Sequence, residues 1–441
     1  MIYIGNNEIS NIYIGTDKIY GIYVGDLQIY PTDINILTAI SLENLVWVTN
    51  IPASGGTATK ENCTYSVIAY YSDGTTVDVT SEATITGSQV IPSTDIEEVH
   101  SAGTLTLTAS YSGFTATGSV DVYQEAAVLD FSKKPLTFNI LSGGTIVWKA
   151  SESDSSVSKT IEYKLNNGAW VSITSNAGSS APTITVNSGD KIQFRGNNAQ
   201  YANSVSFFNS FGGSALFEAE GNIMSLIYGD DFKNKLTISS EFAFNGLFRD
   251  CANLVSAENL ILPATTLADW CYGNMFQDCS SLTTAPELPA TTLASYCCYE
   301  MFYNCSKLTT APELPATNLA DNCYSNMFQN CSSLETASSI LPAITLAENC
   351  YSYMFYGCGS LTSAPELPAN TLVDGCYQGM FVDCSSLNYI KCLATDISAY
   401  GCTSYWVYGV APTGTFVKNP DMNDWTEDEQ GIPVGWDIED A

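Results

Sequence analysis

The sequence predicts a mainly β, multidomain protein that ends in a repetitive solenoid. Three observations support this: a ten-residue repeat at the N-terminus, alternating apolar and polar runs through the first half, and a repeat of about 26 residues in the second half. The chain has 441 residues, of which 45% are apolar, so it can bury large cores. That length suffices for about three domains of roughly 150 residues each.

The charge of the chain, its apolar runs and its N-terminal residues each argue against a class of protein. The net charge is -31, with only 15 basic residues, so we expect no binding to nucleic acid, which requires clustered Lys and Arg. No apolar run approaches the length of a membrane span, so we expect no insertion into a membrane. The N-terminus lacks the features of a secretion signal, and we therefore expect folding in a cytoplasm with reduced thiols.

Residues 1–33 contain three copies of a short unit, "IYIGNNEISN", "IYIGTDKIYG" and "IYVGDLQIYP". Each copy places β-branched and aromatic residues around a turn centred on Gly, which predicts a β-hairpin. Such hairpins are too small to form a core alone. They either attach to a partner or to copies of themselves, or they form a meander that caps the next domain.

Residues 34–125 alternate in polarity between Gly, Asp and Ser turns, which predicts a β-sandwich. The segment resembles the group 2 bacterial immunoglobulin-like domains. The matching residues lie in the motifs "Y-x-D-G-T…D-V-T" and "A-G-T…T-A-x-Y-x-G": Tyr71, Asp73, Gly74, Thr75, Asp78, Val79, Thr80, Ala102, Gly103, Thr104, Thr108, Ala109, Tyr111 and Gly113. The resemblance implies a spacer module of surface proteins and phage fibres, and no chemistry.

Residues 126–232 predict a second β-sandwich. "IEYKLNNGAWVSI" reads as a hairpin with an Asn-Asn-Gly turn, and "TITVNSGDKIQFRG" reads as another. Its aromatic residues Tyr163, Trp170 and Phe194 are either a platform for stacking sugars or, as is commoner, part of the core.

Residues 233–405 repeat around Met275-Phe276 and its four later counterparts, at steps of 26, 26, 27 and 26 residues. Leu267, Cys271, Met275 and Phe276 have the spacing of one face of a short helix or helical turn, and a Pro-broken extended piece follows. This predicts an α/β leucine-rich-repeat solenoid. The unit resembles the BspA-like family, with Met-Phe where that family usually has Ala-Phe. Residues 406–441 break the period and predict a cap, with Trp425 and Trp436 sealing the last turn.

Fourteen of the 15 cysteines lie between Cys251 and Cys402. Zinc sites require closer pairs or histidine, and the only histidine, His100, is far away in the sequence. The expected reduced compartment disfavours disulfides, which remain an alternative. We favour a structural ladder of buried free thiols, formed by Cys271, Cys279, Cys297, Cys305, Cys323, Cys331, Cys350, Cys358, Cys376 and Cys384.

Two columns of the repeat vary beside these constant anchors, as in repeat proteins that diversify a binding face. Neutral change on a solvated surface is the alternative. Between residues 252 and 410 there are two basic residues and 13 acidic ones, so an acidic partner is disfavoured there. The candidate receptor-binding face consists of Trp270, Gln277, Tyr296, Tyr303, Asn322, Gln329, Asn349 and Tyr356.

No nucleophile motif, phosphate loop or nucleotide fingerprint occurs, so we expect no enzyme and no cofactor. The resemblances, including the "IYIG" repeats, imply a phage virion protein of tail-fibre or head-fibre type. It would bind other virion proteins through residues 1–33 and a glycan or protein of the host surface through its solenoid, with a homotrimer as one possible assembly. The alternative is a BspA-like adhesin on the bacterial cell surface.

Overall fold

The computed structural model describes residues 2–4, 7–9, 22–24, 27–29, 37–48, 51, 56–91, 100–124, 130–151, 158–177 and 181–441. The chain forms two compact units, Met1–Leu129 and Asp130–Ala441. Far more residues lie in strands than in helices, which confirms the prediction of a mainly β protein. Among the described residues, no helix has the length and apolarity to cross a bilayer.

The N-terminal repeats pair as short antiparallel hairpins. β1 (Ile2–Ile4) pairs with β2 (Asn7–Ile9), and β3 (Ile22–Val24) pairs with β4 (Leu27–Ile29). The two hairpins have equivalent registers, so the first and third copies of the unit fold alike. The strands expected from the second copy lie outside the described residues.

The described residues in the rest of the first unit form two three-stranded sheets and one two-stranded sheet, in the orders β5-β7-β8, β12-β11-β9 and β10-β6. Its strands are β5 (Leu37–Trp47), β6 (Gly56–Thr59), β7 (Cys63–Tyr71), β8 (Thr76–Asp78), β9 (Thr84–Thr86), β10 (Ser88–Ile91), β11 (His100–Tyr111) and β12 (Phe114–Gln124), with a 3-10 turn at Lys60–Asn62. Alternate residues of β7 and β11 enter one core, for example Val67 and Leu107.

The tight turn between β11 and β12 follows from the sequence. Tyr111 pairs with Phe114, which leaves Ser112 and Gly113 as a two-residue loop. Both loop residues have positive φ, 48° and 86°, as a type I′ turn requires. This turn twists in the same sense as the strands, so it sets the register of the longest hairpin in the described part of the chain.

The second unit begins with two sheets packed face to face. Their strand orders are β16-β15-β19-β13-β21-β22 and β17-β14-β18, with β20 also paired to β14. A 3-10 turn at Phe131–Lys133 precedes β13 (Leu136–Ile140), β14 (Gly144–Ala150), β15 (Thr160–Leu165), β16 (Val171–Thr174), β17 (Asn176–Ala177), β18 (Thr183–Val186), β19 (Lys191–Arg195), β20 (Asn209–Gly213) and β21 (Phe217–Asn222). Phe138 and Phe211 join the sheets, with ring centroids 4.9 Å apart.

The core of these sheets continues into the repeat region. After helix α1 (Ser225–Tyr228) and a 3-10 turn at Gly229–Phe232, β22 (Leu254–Ile261) pairs parallel to β21. We call each turn of the repeat region a coil. The ring centroid of Phe138, in the sheet, lies 5.9 Å from that of Phe248, in the first coil. The expected division at residue 232 therefore lies inside one continuous hydrophobic core.

The repeats do not form the helix that the sequence pattern predicts over 267–276. Alternate amides bond in different directions: Met275 N–H donates to the Tyr272 carbonyl at 3.2 Å, whereas Phe276 N–H donates to Met301 on the next coil at 2.8 Å. An α-helix would direct both bonds within the segment. The segment therefore forms consecutive turns and not the short α-helix, because alternate backbone amides of each coil donate to carbonyls of the neighbouring coil.

In each of these coils, three residues spaced four apart have left-handed backbone geometry. In successive coils the first such position is Phe242, Trp270, Tyr296, Asn322, Asn349, Gly375 and Gly401. A left-handed residue at every fourth position turns the chain so that two residues point inward and the next two point outward. This four-residue pattern takes the place of the 3.6-residue period of a helix.

The last coil ends in a parallel sheet of β23 (Tyr389–Cys392), β24 (Thr415–Lys418) and β25 (Asp437–Asp440). Trp425 stacks on Trp406 at 5.6 Å, and Trp436 Nε1 donates to the Ala411 carbonyl at 2.8 Å. Both tryptophans thus cover the end of the core. The acidic side chains of β25 discourage another strand from pairing with its free edge.

Candidate functional site

The inward residues of each coil form columns that run through the stack. All ten cysteines of the predicted ladder are buried and occur as free thiols. They stand in two columns: Cys271, Cys297, Cys323, Cys350 and Cys376 in one, and Cys279, Cys305, Cys331, Cys358 and Cys384 in the other. Cys402 continues the first column and Cys251 begins the second.

The second cysteine column is tied to the backbone of the preceding coil. Cys279 Sγ donates to the Phe248 carbonyl oxygen at 3.1 Å, and Cys384 Sγ donates to that of Phe355 at 3.0 Å. The same bond recurs at every coil between them. A serine would be too polar for this core and an alanine too small, so the column satisfies a carbonyl while filling apolar space.

Burial makes these thiols unreactive. It raises the pKa of Cys331 to about 12, and it raises the pKa of Cys279 well above its ordinary value. In the first column the neighbouring thiol of Cys297 adds to the effect of burial at Cys271. A reactive cysteine needs a lowered pKa and access to solvent, and these have neither.

Among the described residues, the cysteines are not grouped with other metal-ligating side chains. Within the described ranges, no three His, Cys, Asp or Glu side chains are arranged to hold a metal ion. The aromatic residues that neighbour the thiols are stacked between coils, as Phe276 and Phe302 are at 5.2 Å with parallel planes. The interior of the stack is therefore a repeated apolar core, and chemistry has to be sought on its outward face.

The candidate receptor-binding residues occupy outward positions of consecutive coils. Most of them are half-buried, as expected where each side chain is flanked by the coils above and below: Trp270, Tyr296, Tyr303, Asn322, Gln329, Asn349 and Tyr356. Gln277 differs, because it is only 8% exposed and its Oε1 accepts a hydrogen bond from Asn274 Nδ2 at 3.0 Å. Gln277 thus offers a partner little surface.

Trp270 and Tyr296 form the clearest feature of this face. Their rings stack at 4.3 Å with planes 5° apart, although both residues have positive φ, 59° and 55°. Left-handed geometry is unfavourable for bulky side chains and is better tolerated by Asn or Gly, which occupy the same position in the next coils. Strained backbone of this kind clusters at functional sites.

Two further aromatic residues contact this pair, and the sequence analysis did not predict them. Phe242 stacks on Trp270 at 5.8 Å, and the Tyr299 ring lies 5.3 Å from that of Trp270 with the planes tilted by 59°. We call these four residues, Phe242, Trp270, Tyr296 and Tyr299, the aromatic column. Asn and Gly recur every four residues in later coils, as at Asn322, Asn326 and Asn330, and this signal could have revealed the outward positions.

The aromatic residues of the second sandwich separate into core and surface. Phe194 is fully buried and Tyr163 packs against the same core. Trp170 lies on the other side of the sheet, where the Arg195 guanidinium sits 4.2 Å and the Lys164 ammonium 5.3 Å from its ring centroid. The three residues therefore do not form one platform.

Comparison of the chain with protein-family models, curated proteins and solved structures finds no match among them.

Proposed function

We propose that this chain is a structural component of a phage virion, of tail-fibre or head-fibre type, whose repeat stack recognises a receptor on the host surface. In this proposal the first unit corresponds to an immunoglobulin-like spacer and the stack to a BspA-like leucine-rich solenoid. The N-terminal hairpins dock on other virion proteins. The protein acts on the virion or on the fibre by which the virion contacts its host.

The aromatic column, in which three of the four residues have positive φ, is the observation that supports recognition. The inward positions of the stack repeat almost unchanged, whereas the outward ones change from aromatic to amide to glycine along the stack. Retention of Trp and Tyr at left-handed positions costs about 1–2 kcal/mol per residue. A binding role for the exposed parts of these rings accounts for that cost, because aromatic side chains dominate the energetics of interfaces.

The receptor hypothesis can be tested with the whole chain and host cells. Trp270→Asn and Tyr296→Asn install the residue that later coils carry at the same position, so we expect the fold to persist and cell binding to fall. Ile344→Asn is the control, because Ile344 is 71% exposed in the stack but outside the outward columns. Equal binding by all three variants would remove the aromatic column from the proposal.

A cell-surface adhesin of the BspA-like kind is the second candidate, favoured by the resemblance of the repeat unit alone. Antibody labelling of purified virions and of intact cells from the source strain separates the two. Label on virions supports the virion protein, and label confined to cells supports the adhesin.

A further inference from the structure

The positive charge of this chain is concentrated in one region. Between residues 130 and 235 there are nine basic and nine acidic residues, so this region is neutral. The remainder carries only six basic residues against 37 acidic ones, and hence the whole net charge of -31. A basic cavity in such a protein is therefore not explained by overall composition.

The outer face of the six-stranded sheet carries a polar row that crosses four strands. Lys164 of β15 pairs with Gln193 of β19, Gln193 with Thr137 of β13, and Thr137 with Glu220 of β21. The side chains between them in each strand point into the core, as Phe138 and Phe194 do. Because side chains alternate along a strand, all four residues of the row share the outer face.

Gln193, Thr137 and Glu220 of this row form the floor of a cavity of about 400 Å³. Thr137 and Glu220 are only 2% and 7% exposed although they lie on the outer face. The walls that cover them are supplied by Lys134, Lys164, Lys191, Asn166 and Asn167. Three lysines and one glutamate line the cavity, so basic side chains outnumber acidic ones in its lining.

We propose that this cavity is a binding site for an anionic monosaccharide unit, one that carries a carboxylate, phosphate or sulfate group. The lysines provide charge-assisted hydrogen bonds to the anionic group. Gln193, Thr137 and the two asparagines provide neutral polar contacts, which suit sugar hydroxyls. The volume lies within the range of small-molecule sites and is larger than a lone inorganic anion needs.

Glu220 sets where the anion lies. A carboxylate at one end of the row repels the anionic group, whereas Lys164 at the other end attracts it. We therefore place the anionic group near Lys164 and Lys191, with the sugar body extending over Thr137 toward Glu220. Trp170, which packs against the Lys164 ammonium, holds that side chain at the rim.

Calorimetric titration of the full chain tests the site with four probes: glucose 6-phosphate, glucuronate, glucose and inorganic phosphate. We expect saturable binding of the first two and none of glucose. Absence of binding by both anionic sugars overturns the proposal, as does equal binding of glucose. Inorganic phosphate that binds as tightly as glucose 6-phosphate overturns the assignment of a sugar.

Charge-neutral variants locate the binding. Lys164→Gln combined with Lys191→Gln should weaken binding at least about tenfold, since hydrogen bonds to charged groups are among the strong ones. Lys233→Gln combined with Lys307→Gln changes the net charge equally on exposed residues outside the cavity, and should leave binding unchanged. Equal weakening in both double variants would show a nonspecific charge effect and overturn the site.

Glu220→Gln should change the affinity in the opposite direction. Loss of the carboxylate should tighten the binding of glucose 6-phosphate severalfold, because it removes a repulsive charge from the floor. A weaker affinity in this variant overturns the placement of the ligand along the row.

Discussion

The sulfhydryl of Cys305 donates a hydrogen bond to the carbonyl oxygen of Phe276 on the preceding coil, with 3.1 Å between sulfur and oxygen. Cys331, Cys358 and Cys384 repeat this bond in the next three coils, so the cysteines connect these coils without any covalent link. The pattern explains why a thiol recurs at this position: it is small and apolar enough for the core, and it can still donate to a buried carbonyl.

Thiol reactivity should follow from this burial. In the native protein we expect almost no reaction with a thiol-specific reagent, and after unfolding without reductant we expect all 15 thiols to react. Ser280→Cys, on an exposed position of the stack, is the control and should react at once. Far fewer than 15 reactive thiols in denaturant would demonstrate disulfides.

Stability should fall at alkaline pH. Burial raises the pKa of Cys331 and Cys350 from an ordinary value of 9.0 to about 12, so the unfolded chain releases these protons first. The stabilisation is complete below pH 9 and is lost as the pH rises toward 12, by roughly 1.4 kcal/mol per thiol and pH unit. Buried tyrosines such as Tyr324, whose pKa is also raised, act in the same direction.

Denaturant midpoints at pH 8, 9 and 10 measure this effect. We expect a small change between the first two and a steep loss by pH 10, since many thiols contribute together. Constant midpoints across this range would contradict the burial of the thiols.

Tyr351→Phe should stabilise the protein. The Tyr351 hydroxyl is buried and has no hydrogen-bond partner in the described part of the chain. Its removal should raise the free energy of unfolding by about 1 kcal/mol. Tyr201→Phe is the matched control: its hydroxyl donates to the Leu226 carbonyl at 2.6 Å, so its removal should lower stability by a similar amount. Equal effects of the two variants in denaturant unfolding would contradict this.

Tyr405→Asn should also stabilise the protein, by about 1 kcal/mol, because Asn tolerates left-handed geometry better than Tyr. Tyr405 has a φ of 54° and is 58% exposed, so little packing is lost. Tyr400→Asn, on a residue that is 87% exposed without positive φ, should leave the melting temperature unchanged. A loss of stability at position 405 would show that its ring packs more than its exposure indicates.

Much of the candidate site was predictable because repetition is visible in the sequence. The period of 26 residues identifies Cys271, Met275 and Phe276 as inward and marks Trp270 and Tyr296 as variable. Helical spacing, however, is hard to distinguish from a four-residue coil over ten residues. For this reason the sequence analysis chose a helix, counted Gln277 as accessible and overlooked Tyr299.

By itself the sequence determined the mainly β class, the first and third N-terminal hairpins, the repeat unit and the acidic charge. These are local properties, set by side-chain alternation, turn residues and composition. Only the tertiary structure decided that the coils share their amides, that the core runs on from Phe138 to Phe248, and that Lys164 and Glu220 lie in one row. Such relations depend on which strands pair, and pairing joins residues far apart in the sequence.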